Sequence, residues 1–194
     1  HAEAENNLGD CLTRLGRPAE AVPHLERALK LQPKYVSAHN NLGAALMKLA
    51  RPAEGIARFE QAIRIEPGFA LAHFNLGLAI ANSGRPAEAA EHFARAVRHR
   101  PEYPEAELNW AVALTLTDRF AEAVTHFERA LTLRPDYADA EVMYGRALTT
   151  AGRYDDAIAR YRRALEWNPA HADAHFNLAI ALRQTGRLEE AERH

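Results

Sequence analysis

Prolines fall at Pro33, Pro67, Pro101, Pro135 and Pro169, each 34 residues from the next. No other feature constrains the fold so strongly. A fixed period of this size marks stacked copies of one supersecondary unit, none of which can bury its apolar face alone. Counting each copy from three residues after its proline gives repeats 2–35, 36–69, 70–103, 104–137, 138–171 and an incomplete 172–194. Residues 1–194 therefore read as a single array.

Each repeat carries two helical patterns. The third place is Ala4, Ala38, Ala72, Ala106, Ala140 and Ala174, and the seventh is Leu8, Leu42, Leu76, Trp110, Tyr144 and Leu178. The eighth is Gly9, Gly43, Gly77, Ala111, Gly145 and Ala179. Offsets of three and four residues place these on one helical face. The small residues allow a neighbouring helix to come close. A second run repeats the logic, with a large residue (Leu25, Phe59, Phe93, Phe127, Tyr161) between small ones. Two helices of about fourteen residues, each roughly 20 Å long, are predicted per repeat. Joined by so short a turn, they must pack antiparallel. The expected fold class is an all-α solenoid of stacked antiparallel helix pairs.

The turn has its own chemistry. Gly16, Gly84, Gly152 and Gly186 sit just past the first helix, where a left-handed residue is wanted. Ala50 and Asp118 occupy that place in two repeats, so slight strain is expected there. An arginine follows in all six, and Pro18, Pro52 and Pro86 then open second helices. Glu20, Glu54, Glu88 and Glu122 lie in the first turn, where the helix dipole favours negative charge.

Composition closes off several classes of function. The formal net charge is −2, and no run of like charges occurs, so no electrostatic footprint for nucleic acid or an anionic membrane is present. No apolar stretch approaches the roughly 20 residues that span a bilayer. The single cysteine, Cys11, excludes an internal disulfide and is compatible with a reducing, cytoplasmic setting. It stands where the other repeats have alanine, so it reads as a small packed residue and not a nucleophile. The chain opens at His1 instead of methionine, which reads as a fragment.

Taken together, "NNLGAAL", "GIARFEQAI" and the closing proline resemble the tetratricopeptide repeat family over essentially the whole chain. The resemblance implies a right-handed superhelix whose concave face is lined by first helices. It implies binding of proteins or peptides and no catalysis. One departure is the fourth place, often aromatic in the family. Here it is Glu5, His39, His73, Glu107, Glu141 and His175, so looser or more polar packing is expected.

In this family the second, fifth, sixth and ninth places face the groove. The sixth reads Asn7, Asn41, Asn75, Asn109, Met143 and Asn177. An amide both donates and accepts, so it can grip a peptide main chain of any sequence. First helices about 10 Å apart would set one amide against roughly every third residue of an extended chain. This resembles the asparagine ladder of the repeat domain of O-linked N-acetylglucosamine transferases. Asparagine is also a common residue at this place in the family generally. From the third repeat on, the other groove places turn apolar: Leu71, Phe74 and Leu78, then Leu108 and Val112, then Val142, then Phe176 and Ile180. Exposed together, they would form a binding strip; some could instead be covered by the next helix. Glu3, Asn6, Asp10, Ser37 and Asn40 make the first two repeats more polar. The fifth place is never lysine and the ninth never asparagine, which argues against the clamp that chaperone-binding members close on a carboxylate tail.

No catalytic constellation, cofactor motif or metal set stands out. His171 and His175 are four apart, but no nearby ligand completes a site. His24, His92 and His126 recur at one place on the second helices and read as a solvated outer face. The expected function is a non-catalytic scaffold holding an extended protein or peptide segment. Two alternatives follow from the same features. One is a substrate-recruiting arm of a larger bacterial enzyme such as a glycosyltransferase. The other is an array that self-associates end to end through an uncapped last repeat.

Overall fold

The computed structural model describes residues 1–194 and contains twelve α-helices and no strand. The first helices are α1 (Ala2–Arg14), α3 (Val36–Lys48), α5 (Ala70–Asn82), α7 (Pro104–Thr115), α9 (Ala138–Thr150) and α11 (Ala172–Gln184). The second helices are α2 (Pro18–Leu31), α4 (Pro52–Ile65), α6 (Pro86–His99), α8 (Phe120–Leu133), α10 (Tyr154–Trp167) and α12 (Leu188–Ala191). The molecule is an all-α solenoid of helix pairs. It divides into two compact units, His1–Pro101 with α1–α6 and Glu102–His194 with α7–α12. No helix is long and apolar enough to cross a membrane.

The same bonds close the first helix in every repeat. In the first, Arg17 N–H donates to the Leu12 carbonyl at 2.9 Å and Gly16 N–H to the Thr13 carbonyl at 3.2 Å. This paired closure requires a left-handed residue at its corner. Gly84 provides it at φ 76°, and Ala50 and Asp118 are forced into it at φ 56° and 58°. Arg51 still donates to Leu46 (3.0 Å) and Arg119 to Leu114 (2.9 Å), so the turn is kept where the residue is unsuited to it. The arginine after the corner then reaches forward: Arg17 to Glu20 at 2.7 Å, Arg51 to Glu54 at 2.6 Å, Arg119 to Glu122 at 2.7 Å. These exposed pairs fix the entry of the second helix more than they stabilise it.

Helix pairs close on a large residue set against a small one. Leu25, Phe59, Phe93, Phe127 and Tyr161 of the second helices are fully buried. A β-carbon added at Gly43 would stand 2.6 Å from the Phe59 ring, and one at Gly77 2.7 Å from the Phe93 ring. Glycine there is a requirement of close approach. In the first unit Leu12, Ala21 and Leu25 continue into Leu42, Ala45 and Leu46. In the second, one core runs from Leu108 to Ala191, and Phe127 stacks on Tyr144 with ring centroids 4.9 Å apart. Each pair therefore depends on its neighbour for much of its buried surface.

Candidate functional site

The first helices present the residues that sequence patterning singles out. In the first unit the asparagines join into one chain of side-chain hydrogen bonds. Asn75 Nδ2 donates to Asn40 Oδ1 (2.9 Å), Asn40 to Asn41 (3.4 Å), Asn41 to Asn6 (3.0 Å) and Asn6 to Asn7 (3.3 Å). Fifth-place Asn6 and Asn40 are buried, and each accepts a hydrogen bond from the sixth-place amide of the next repeat. In the second unit, Asn109 donates to the Glu105 carbonyl (2.8 Å) and Asn177 to the Asp173 carbonyl (2.7 Å) of their own helices. One N–H of each of these amides is thus committed internally. Oδ1 of Asn75, Asn109 and Asn177 has no partner within the chain and stays open to an outside donor. Met143 breaks the row in repeat 138–171.

The fifth place faces along the stack, not outward. The asparagine bonds show this directly, and it corrects the expected apolar strip. Leu108 is 6% exposed and Val142 2%, both inside the core of the second unit. Neither offers a binding surface, because the adjoining first helix packs over it. Phe176, at the same place in the last repeat, is 66% exposed. Leu71, Phe74, Leu78 and Val112 are half-buried, and Phe74 tilts against Phe93 with centroids 5.9 Å apart. Ile180 lies at the surface. The apolar positions therefore form separate patches on the first helices.

One such patch is a pocket. Val112 and Leu116, on α7 and just past its end, face Met143 and Ala147 of α9 across the Phe127 ring, around a volume of about 310 Å³. Arg146 stands at its rim. A larger cleft of about 470 Å³ among α8, α9 and α10 is lined mainly by charged groups, including Arg153, Arg160 and Arg163.

The fourth place is polar yet buried in the four middle repeats, at His39, His73, Glu107 and Glu141, and its acids find a partner 19 residues on. Glu107 is 1% exposed; His126 Nδ1 meets its Oε2 at 2.7 Å and Arg129 its Oε1 at 3.3 Å. Glu5 meets His24 at 2.6 Å, a hydrogen bond that, with help from Arg27, holds its carboxyl below the ordinary value. Glu141, also 1% exposed, has Arg160 at 3.3 Å, and Arg163 3.2 Å from the other oxygen without hydrogen-bond alignment. Burial outweighs both arginines and raises its pKa.

Where the fourth place is histidine, Nε2 donates to the proline carbonyl that ends the preceding repeat. His39 to Pro33, His73 to Pro67 and His175 to Pro169 are each 2.9 Å. A carbonyl only accepts, so these rings carry the proton on Nε2 when neutral. His73 Nδ1 then faces His92 Nδ1 at 3.4 Å, and His39 Nδ1 is buried without a protein partner. Burial lowers the pKa of His39, His73 and His92. His24, His92 and His126 are consequently half-buried partners of the fourth place, not a solvated face.

Two further readings change. Cys11 is exposed, whereas Ala45, Ala79, Ala113, Ala147 and Ala181 at the same place are buried against a preceding helix. His171 caps α11, accepting from Ala174 N–H at 3.4 Å, and its Nε2 meets Asp139 at 3.0 Å. His171 and His175 thus bind different partners within the fold.

Comparison with known proteins agrees with the fold. Four family models, each described as tetratricopeptide repeat, match residues 2–35, 40–107, 102–167 and 148–194. No curated protein matches the sequence. Among solved structures, PilW, a widely conserved type IV pilus biogenesis factor, superposes with a TM-score of 0.88 at 24% identity, over 99% of this chain and 90% of its own. TTC0263, a thermophilic TPR protein of Thermus thermophilus, does so at 0.74 and 25%, over 94% and 99%. YrrB, a TPR protein with an unusual peptide-binding site, gives 0.72 and 21%, over 90% of each chain.

Proposed function

This chain belongs to the tetratricopeptide repeat family, and we propose that it is a non-catalytic scaffold that holds an extended segment of a partner protein against its first helices. The supporting observation is the state of the sixth-place amides within each unit, Asn75 in the first and Asn109 and Asn177 in the second. Asn75, Asn109 and Asn177 each have one N–H tied to the protein, which fixes the rotamer, and keep an unengaged carbonyl oxygen. Pre-set amides of this kind suit the N–H and C=O groups of a bound backbone, and ordering them costs little on binding. The fold hosts a peptide-binding site in YrrB. The first helices also carry half-buried apolar residues, Leu71, Phe74 and Leu78 in the first unit and Val112 in the second, which supply contact area within each unit.

The test is selection of peptides from a random displayed library, followed by affinity measurement on Asn109→Ala/Asn177→Ala. These two amides bond only to their own helices, so truncating them leaves no buried side chain unpaired. Loss of two hydrogen bonds should weaken a selected peptide by about 1–3 kcal/mol in total. Asn75→Ala is the poorer probe, because it strips the partner from buried Asn40 and confounds binding with stability. Undiminished binding by the double variant would remove the amide grip.

A further inference from the structure

Arg146 is exposed at the rim of the α7–α9 pocket, and no carboxylate of the chain pairs with it. Its side-chain hydrogen bond goes to Met143 Sδ at 3.8 Å, a weak and uncharged acceptor. The arginines of the neighbouring cleft are different: Arg153 is held by Asp156, and Arg160 and Arg163 by Glu141. Arg146 is therefore a solvated cation at the pocket that no carboxylate of the fold engages, and it is available to one from outside.

The pocket beside it is apolar. Val112, Leu116 and Met143 wall it, and the Phe127 ring closes its floor. The Thr115 and Thr150 hydroxyls at its edge donate to the Ala111 and Arg146 carbonyls of their own helices, at 2.9 and 3.1 Å. Neither hydroxyl needs a partner from a ligand. A volume of about 310 Å³ is at the small end of ligand sites and has room for one large side chain.

We propose that this pocket receives a Leu, Met or Phe side chain of the bound segment, and that Arg146 takes an Asp or Glu carboxylate next to that residue. The proposal rests on the peptide-binding reading above and narrows it to a sequence preference. An apolar hole with one unpaired guanidinium at its lip selects an apolar residue flanked by an acid. The guanidinium gains a charge-assisted, two-pronged bond, and a basic neighbour is repelled.

The test is display selection of random peptides on the full chain and, separately, on Arg146→Glu. Arg146 is exposed and outside the core, so the variant keeps the fold. Wild-type selection should enrich Leu, Met or Phe beside Asp or Glu. The winning peptides, made synthetically, should bind Arg146→Glu roughly tenfold or more weakly. Selection on Arg146→Glu should exchange the acidic neighbour for Lys or Arg. Winners without an acidic neighbour, or with affinity unchanged in Arg146→Glu, would overturn this proposal and leave the scaffold reading standing. A library that yields no binder to either protein would overturn both, as would wild-type chain whose pocket is filled by a second copy in solution.

Discussion

The corner residue of each repeat offers a reciprocal pair of substitutions. Ala50 is held at φ 56° and is exposed, so Ala50→Gly changes the backbone preference and little else. Gly84 sits at φ 76°, and a β-carbon there would meet nothing within 4 Å, so Gly84→Ala is equally clean in the opposite direction. The left-handed region costs an L-residue about 1–2 kcal/mol. Glycine gives back about 0.5–1 kcal/mol through the freedom of the unfolded chain. The net is about 0.5–1 kcal/mol, stabilising for Ala50→Gly and destabilising for Gly84→Ala. In a domain of this size that is a shift of about 1–4 °C in Tm. Asp118→Gly should gain less, because aspartate tolerates this region better than alanine. Urea unfolding followed by helical circular dichroism reads the change. Amide exchange in α3 and α4 localises it, since each repeat touches only its neighbours. Ala50→Gly that lowers stability, or Gly84→Ala that raises it, would refute the turn argument.

Other outcomes follow from the packing and the buried polar places. Gly77→Ala puts a β-carbon 2.7 Å from the fully buried Phe93 ring; overpacking of about 1–3 kcal/mol should exceed the helix-propensity gain of up to about 1 kcal/mol, seen as a lower urea midpoint. Burial holds the pKa of His39, His73 and His92 below the ordinary 6.5, so the folded chain excludes protons that the unfolded chain binds. Their stabilisation is complete above pH 6.5 and is lost as pH falls through the folded values, by at most about 1.4 kcal/mol per pH unit for each proton excluded. Unfolding midpoints should drop between about pH 8 and about pH 5.5, and His39→Gln, which keeps a donor for the Pro33 carbonyl, should flatten the drop. Glu141 acts with the opposite sign: its raised pKa favours the fold at low pH and withdraws that support as pH rises above 4.5. A wild-type midpoint that rises on acidification over the same range would contradict the histidine assignment.

How much of this is legible in the sequence depends on the range of the interaction. The proline comb, the helix starts at Ala2, Val36, Ala70, Pro104, Ala138 and Ala172, and the strained corners at Ala50 and Asp118 all rest on local rules of periodicity and backbone preference. The direction of the fifth place does not. Periodicity assigns Leu108 and Val142 to the right helix face, but the rotation between adjoining first helices decides whether that face meets solvent or a neighbour, and no local pattern encodes it. The fourth place is hard to read for a related reason. Glu107 looks out of place alone, while its partner His126 looks like surface. The signal exists only in joint form: acids at the fourth place recur with His or Arg 19 residues on, in Glu5–His24, Glu107–His126 and Glu141–Arg160. Arg146 gives no signal at all, because an arginine on an amphipathic helix is ordinary until its lack of a carboxylate partner is known.

The most direct test of the scaffold reading is a titration of isotope-labelled chain with a peptide from the display selection, followed residue by residue by amide chemical shift. The expected result is perturbation concentrated on the first helices, including Asn109 of α7 and Met143 and Arg146 of α9, with the second helices little changed. Perturbation centred on α2, α4, α6, α8 and α10 would contradict it and move the binding surface to the opposite side of each helix pair.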